Sequence, residues 1–162
     1  MITALIKLKE GCLNLLSWIC IVIFAFMTLL GFYQIVTRYV FNRPSTISEE
    51  LLTYSFTWLA LFSAARVFGM RDHMRMGFFA DKFSEKGRRG LAIFSEALVL
   101  LFSLIVLVYG GICITRLTFS QITASLGISM GTVYLVLPVC GVLICLFSLI
   151  NIISLSTGRD EV

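Results

Sequence analysis

Four long apolar runs separated by short polar stretches set the pattern of this chain. The first extends from about Leu13 to Thr37, the second from Glu49 to Phe68, the third from Leu91 to Thr115 and the fourth from Thr132 to Leu155. Each is near the ~20 residues that a helix needs to cross a bilayer. The runs predict four transmembrane helices at 13–37, 49–68, 91–115 and 132–155, forming a single membrane domain over 1–162. The first run is too long for the apolar core of a cleaved signal peptide and no A-x-A site follows it, so it reads as a retained helix.

Between the second and third runs lies the longest polar stretch, 70–90. It places Met74, Phe78, Phe79 and Phe83 at helical spacing against Arg71, Arg75, Lys82, Lys86, Arg88 and Arg89. Such a pattern predicts an amphipathic helix lying in the headgroup plane, with phospholipid as its partner. The fold class expected is therefore an all-α membrane protein with four spans and one interfacial helix.

Composition agrees: 59% of residues are hydrophobic and 14% charged, against about 25% charged in soluble domains. Charge then supplies an orientation. Ten Lys and Arg fall in segments on the side of the N-terminus and three, Arg38, Arg43 and Arg116, on the other. The positive-inside rule puts both termini in the cytoplasm. A net charge of +4 is a matter of topology here and predicts no nucleic-acid partner.

Within the second run Thr53, Thr57, Ala60 and Ala64 fall on one stripe at 100° per residue, while Trp58 and Phe62 point elsewhere. The stripe reads as the side on which a neighbouring helix packs, because small side chains allow close approach in lipid. Arg38 before the polar turn Asn42–Ser48, and Glu49 with Glu50 after it, predict ion pairing that closes the first hairpin. At the opposite surface Arg66 ends the second run and Glu96 lies about 8 Å into the third. An Arg66–Glu96 pair follows as an expectation, with Glu96 the one ionisable candidate inside a membrane helix. His73 is the only histidine and sits among Arg71, Asp72 and Arg75 at the headgroup level.

Several function classes find no support. There is no P-loop for ATP hydrolysis. The five cysteines form no C-x-x-C pair and read as small apolar side chains. A lone histidine offers neither paired haem ligation nor a catalytic triad. No cofactor, metal site or enzymatic activity is expected.

The run Arg38-Tyr39-Val40-Phe41-Asn42-Arg43-Pro44, then Glu49-Glu50, Phe56-Thr57-Trp58-Leu59, Ala64-Ala65-Arg66 and His73, resembles a known family. So does Ser125-Leu126-Gly127-Ile128-Ser129-Met130 with Tyr134, Pro138 and Gly141. The family is the small membrane subunit, DctQ/SiaQ type, of tripartite ATP-independent periplasmic (TRAP) transporters. Arg38, Asn42, Pro44, Glu49, Glu50, Trp58, Arg66 and His73, which carry the resemblance, join Glu96, taken from the charge pattern alone, as the expected structural or interface positions. The resemblance implies a large (M-type) membrane subunit and a periplasmic substrate-binding protein as partners, in the bacterial inner membrane. The role implied is a non-catalytic scaffold in sodium-driven uptake of organic acids such as dicarboxylates or sialic acid. The competing reading is a self-sufficient proton-coupled exporter that works as a homodimer through Glu96.

Overall fold

The computed structural model describes residues 2–70 and 85–157. The helices are α1 (Ile2–Tyr39), α2 (Thr46–Met70), α3 (Glu85–Phe102), α4 (Gly111–Thr118), α5 (Met130–Tyr134) and α6 (Val136–Thr157). A π-helical segment, Ser103–Gly110, joins α3 to α4 as one continuous rod. Among the described residues four spans are long and apolar enough to cross a membrane: Ile6–Tyr39, Thr46–Met70, Arg89–Thr118 and Met130–Ser156. The chain is thus an all-α membrane protein with four spanning helices, as its apolar runs predict. The β contact in the described part is a single antiparallel bridge between Ile122 and Ser129.

Local chemistry explains where the rods stop. At the end of α1 the backbone turns through Asn42, whose φ of 52° lies in the left-handed region that Asn tolerates better than most residues. The Arg43 amide bonds back to the Thr37 carbonyl at 3.0 Å. Exposed Pro44 follows, and Thr46 opens α2. The fourth span is interrupted at Leu135, between α5 and α6. Pro138 accounts for this, because its ring crowds the carbonyl four residues back, at Tyr134, and it has no amide hydrogen to give.

α1 is 38 residues long, about 57 Å at 1.5 Å per residue, against ~30 Å of hydrocarbon. Its first turns carry Lys7, Lys9 and Glu10, so the excess length lies at the end of the bundle that holds the termini. This is the terminal end of the bundle, and the opposite one is the turn end.

The fourth span is the hub and touches all three others. Its Val136, Cys140, Ile144 and Phe147 form the core with Leu16 of α1 and with Phe62 and Ala65 of α2. The third span lies against its other flank. There Gly141 meets the π-helical turn so closely that an added Cβ would stand 2.8 Å from the Leu107 Cβ and 2.9 Å from the Val108 amide nitrogen. Ser103 secures the same crossing by donating from Oγ to the Gly141 carbonyl at 2.8 Å.

One expectation reverses. On α2 the stripe of Thr53, Thr57 and Ala60 is exposed and Ala64 half-buried, while Phe62 is buried and Trp58 half-buried. Two large rings, edge to face at 5.9 Å, fill the wedge between the helices better than small side chains do. The threonine hydroxyls need no neighbour, because Thr53 donates to the Glu49 carbonyl at 2.9 Å and Thr57 to that of Thr53 at 3.1 Å. The interfacial helix expected over 70–90 falls largely on 71–84, outside the described residues, as does His73.

Candidate functional site

Polar groups in a membrane bundle carry information because each must find a partner away from water. Here they gather at two places.

At the terminal end, Glu96 of α3 is fully buried and Asn151 of α6 is 1% exposed. The Asn151 amide nitrogen donates to Glu96 Oε1 at 2.9 Å, and its oxygen accepts from the Lys9 ammonium of α1 at 2.5 Å. An amide suits this post, since it donates on one side and accepts on the other. It therefore joins three helices with one side chain and places a cation and a carboxylate in a single network. Close by, Arg89 donates to the Leu155 carbonyl through Nε at 2.5 Å and through Nη2. That carbonyl belongs to the last turn of α6, where carbonyls lack helical partners and a cation is favoured. Arg66 Nε donates to Ser17 Oγ at 2.7 Å, tying α2 to α1. The spans are thus fastened to one another by charged and amide side chains.

At the turn end, Glu50 is half-buried and accepts three hydrogen bonds. The Tyr54 hydroxyl donates to Oε1 at 2.7 Å, and the amides of Ser125 and Leu126 both donate to Oε2 at 2.9 Å. Those two amides sit at the tip of a small hairpin between the third and fourth spans. Two backbone bonds close it, Thr123 N to Ile128 O at 2.9 Å and Met130 N to Gln121 O at 2.8 Å. Gly127 turns its tip with a φ of 68°, where a side chain would be strained. Ser129 caps α5, its hydroxyl accepting from the Gly131 amide and donating to the Phe119 carbonyl. One helical turn below Tyr54, the Trp58 indole donates to the Val133 carbonyl at 3.0 Å, a partner that a half-buried indole needs.

The residues expected from sequence are distributed unevenly over these two sites. Glu50, Trp58, Arg66 and Glu96 all make bonds between elements. The pairings expected for them do not form among the described residues. Arg66 goes to Ser17 rather than Glu96, because Asn151 and not the end of α2 stands opposite Glu96. Glu50 goes to the hairpin amides rather than to Arg38, because two backbone N–H groups of the hairpin tip converge on its Oε2. Arg38 and Glu49 are exposed and make no side-chain hydrogen bond within the described chain. Asn42 and Pro44 serve the backbone turn.

Sequence reading missed Asn151, Lys9, Tyr54, Ser103 and the hairpin amides. For Asn151 a signal was present: it is the one amide side chain within the last apolar run, and such residues join helices across lipid.

Comparison with known proteins adds a family. The model for tripartite ATP-independent periplasmic transporters, DctQ component, matches residues 27–158. The chain is 36% identical over 110 residues to the sialic acid TRAP transporter small permease protein SiaQ of Vibrio cholerae, covering 68% of this chain and 63% of that protein. It is 27% identical over 139 residues to a TRAP transporter small permease protein of Haemophilus influenzae, covering 86% of each. A second Haemophilus influenzae protein of that description is 28% identical over 148 residues, 90% of this chain and 87% of the other.

Proposed function

Because this chain belongs to the DctQ component family of tripartite ATP-independent periplasmic transporters, we propose that it is the stationary small subunit on which a large membrane subunit is built. It is a multi-pass membrane protein and a transport-related small subunit. In the reading proposed here it lies in the bacterial inner membrane with both termini cytoplasmic, as one four-helix domain. It holds the large subunit in place, helps dock a periplasmic substrate-binding protein, and carries no substrate itself. The cargo is an organic acid taken up with sodium, and the Vibrio cholerae relative favours sialic acid among the candidates.

The observation that carries this reading is the use to which Glu96 is put. A carrier working through this carboxylate would hold it where a proton or cation could come and go. Here it is fully buried and bonded to Asn151, whose other end is taken by a lysine. A cation site with an ammonium group already in the network is a poor fit for sodium. The group suits fastening better than transport.

Reconstitution tests the proposal. Liposomes holding this chain alone, with a sodium gradient and the binding protein, should show no uptake. Adding the large subunit should start it, and the two membrane subunits should purify together. Uptake by this chain alone would replace the scaffold reading with that of a self-sufficient carrier.

A further inference from the structure

The turn between α1 and α2 borders a crevice of about 750 Å³. Tyr33 and Thr37 line it from α1, and Phe41, Arg43, Pro44 and Ser45 from the turn. Its polar side chains are rich in unused donors. Arg43 and Tyr33 are exposed, and neither side chain has a hydrogen-bond or ionic partner among the described residues. Ser45 Oγ accepts from the Ser48 amide at 3.4 Å and keeps its own proton to give. Thr37 alone has spent its hydroxyl proton, on the Gln34 carbonyl at 3.0 Å. No carboxylate lines the crevice, and Glu50 is held by Tyr54 and the hairpin amides. A guanidinium and two hydroxyls with free protons, and no acid among them, suit an anion with several oxygens.

Depth in the bilayer identifies that anion. Arg66 bonds to Ser17 at the terminal end, and its charge marks the edge of the hydrocarbon there. From Ser17 along α1 to Thr37, and from Arg66 back along α2 to Thr46, is about 30 Å at 1.5 Å per residue. That is the thickness of the hydrocarbon layer. Both helices therefore put its opposite edge at Thr37 and Thr46, the level of the crevice. Tyr33 lies about 6 Å inside that edge, and Arg43 lies past the end of α1. The anions that a bilayer presents in this plane are lipid phosphates, and the arginine fork matches phosphate oxygens two at a time.

Size permits the same ligand. A phosphoethanolamine or phosphoglycerol headgroup has about 8–10 non-hydrogen atoms. At the ~30 Å³ that each water takes in the liquid it fills about 240–300 Å³, well within the crevice. We propose that this crevice binds the phosphate group of one phospholipid at the turn-end surface, with Arg43, Tyr33 and Ser45 as its donors. The inference rests on the membrane-spanning fold and holds or fails independently of the transporter assignment.

The full chain, freed of bulk lipid in a mild detergent, would be titrated with dioleoylphosphatidylglycerol. Native mass spectrometry counts the lipids bound. Half-saturation by the first lipid should need about tenfold more lipid in R43Q, the scale of one lost charge-assisted hydrogen bond, and a few-fold more in Y33F. R38Q removes an equally exposed cation that does not line the crevice, and should bind as the unsubstituted chain does. Dioleoylglycerol, which lacks the phosphate, should bind R43Q and the unsubstituted chain alike. Millimolar inorganic phosphate should leave the bound lipid in place. Circular dichroism checks folding, and Y33F carries the test if R43Q fails to fold.

Unchanged lipid binding in folded R43Q or Y33F would overturn the proposal. An equal loss in R38Q would do so too, because the attraction would then be general to positive charge at this surface. Displacement by inorganic phosphate would make the crevice a site for the free ion instead. An R43Q chain that keeps its lipid but no longer purifies with the large subunit would assign the crevice to an acidic side chain of that partner.

Discussion

In the most apolar 18 residues of the first span 6% are buried, and in those of the last span 39%. Both stretches are strongly hydrophobic, so apolarity brings each into the bilayer but does not decide which becomes the centre. The difference lies in the residues that interrupt the apolar run. The last span carries Gly141 where the third span crosses, and Asn151 where three helices meet. The first carries Trp18, Leu29 and Phe32, which stand outward at 67%, 72% and 70% exposure. Between helices in lipid there is no hydrophobic force, so small side chains and hydrogen bonds select neighbours. Large apolar side chains are equally content with lipid or with a second protein. The last span is therefore the hub of this subunit, and the first is a long outward-facing blade.

The sharpest way to break this contrast is at Asn151. Asn151→Leu keeps the apolar volume of the hub but removes both bonds of the amide. Breaking a buried charged network typically costs ~3–5 kcal/mol, enough that the yield of folded protein in detergent should fall steeply. Pairing Asn151→Asp with Glu96→Gln keeps one carboxylate opposite Lys9 and reverses the donor and acceptor between α3 and α6. This double variant should regain much of the loss, measured as a shift in the thermal unfolding midpoint.

Next come matched glycine substitutions on the two spans. Gly141→Ala would press its methyl group on a backbone nitrogen, and overpacking of this kind costs about 1–3 kcal/mol. Gly31 on the first span has only the Leu52 side chain at 3.8 Å from an added Cβ. There the same change should be neutral or stabilise by about 0.5–1 kcal/mol through better helix propensity. Thermal melts of the two variants side by side would check the contrast.

A smaller and more local effect is expected from Glu50→Gln. The amide retains an acceptor but loses the charge that strengthens the bonds from Ser125 and Leu126. Hydrogen exchange at those two amides should speed up while the spans keep their protection. Glu49→Gln, one residue away and exposed, should leave exchange unchanged. Least of all should follow from Arg38→Ala in the isolated chain, where no measurable change in melting is expected. Any effect of Arg38 should appear only when a partner subunit is present.

These comparisons indicate how far the sequence could be read. The four spans were legible because a run of about 20 apolar residues has few other fates. Pro138 and Asn42 likewise mark their turns locally. The partner of Glu50 in the hairpin and the partner of Glu96 were not legible, since they lie 75 and 55 positions away along the chain. Choosing them requires the rotation of each helix about its axis, and apolar runs without a polar face do not fix that rotation. The α2 stripe failed for the same reason: small residues mark a close approach only where a neighbour is present.

Glu96→Gln, in a transporter assembled from all its components, tests the account most directly. The side-chain amide of this variant can still accept from Asn151, so the tie survives without its charge. Uptake per assembled complex should stay at the unsubstituted level, even if fewer complexes form. Complexes that assemble in normal number yet no longer transport would mean that the carboxylate takes part in moving the cargo, contrary to the scaffold reading.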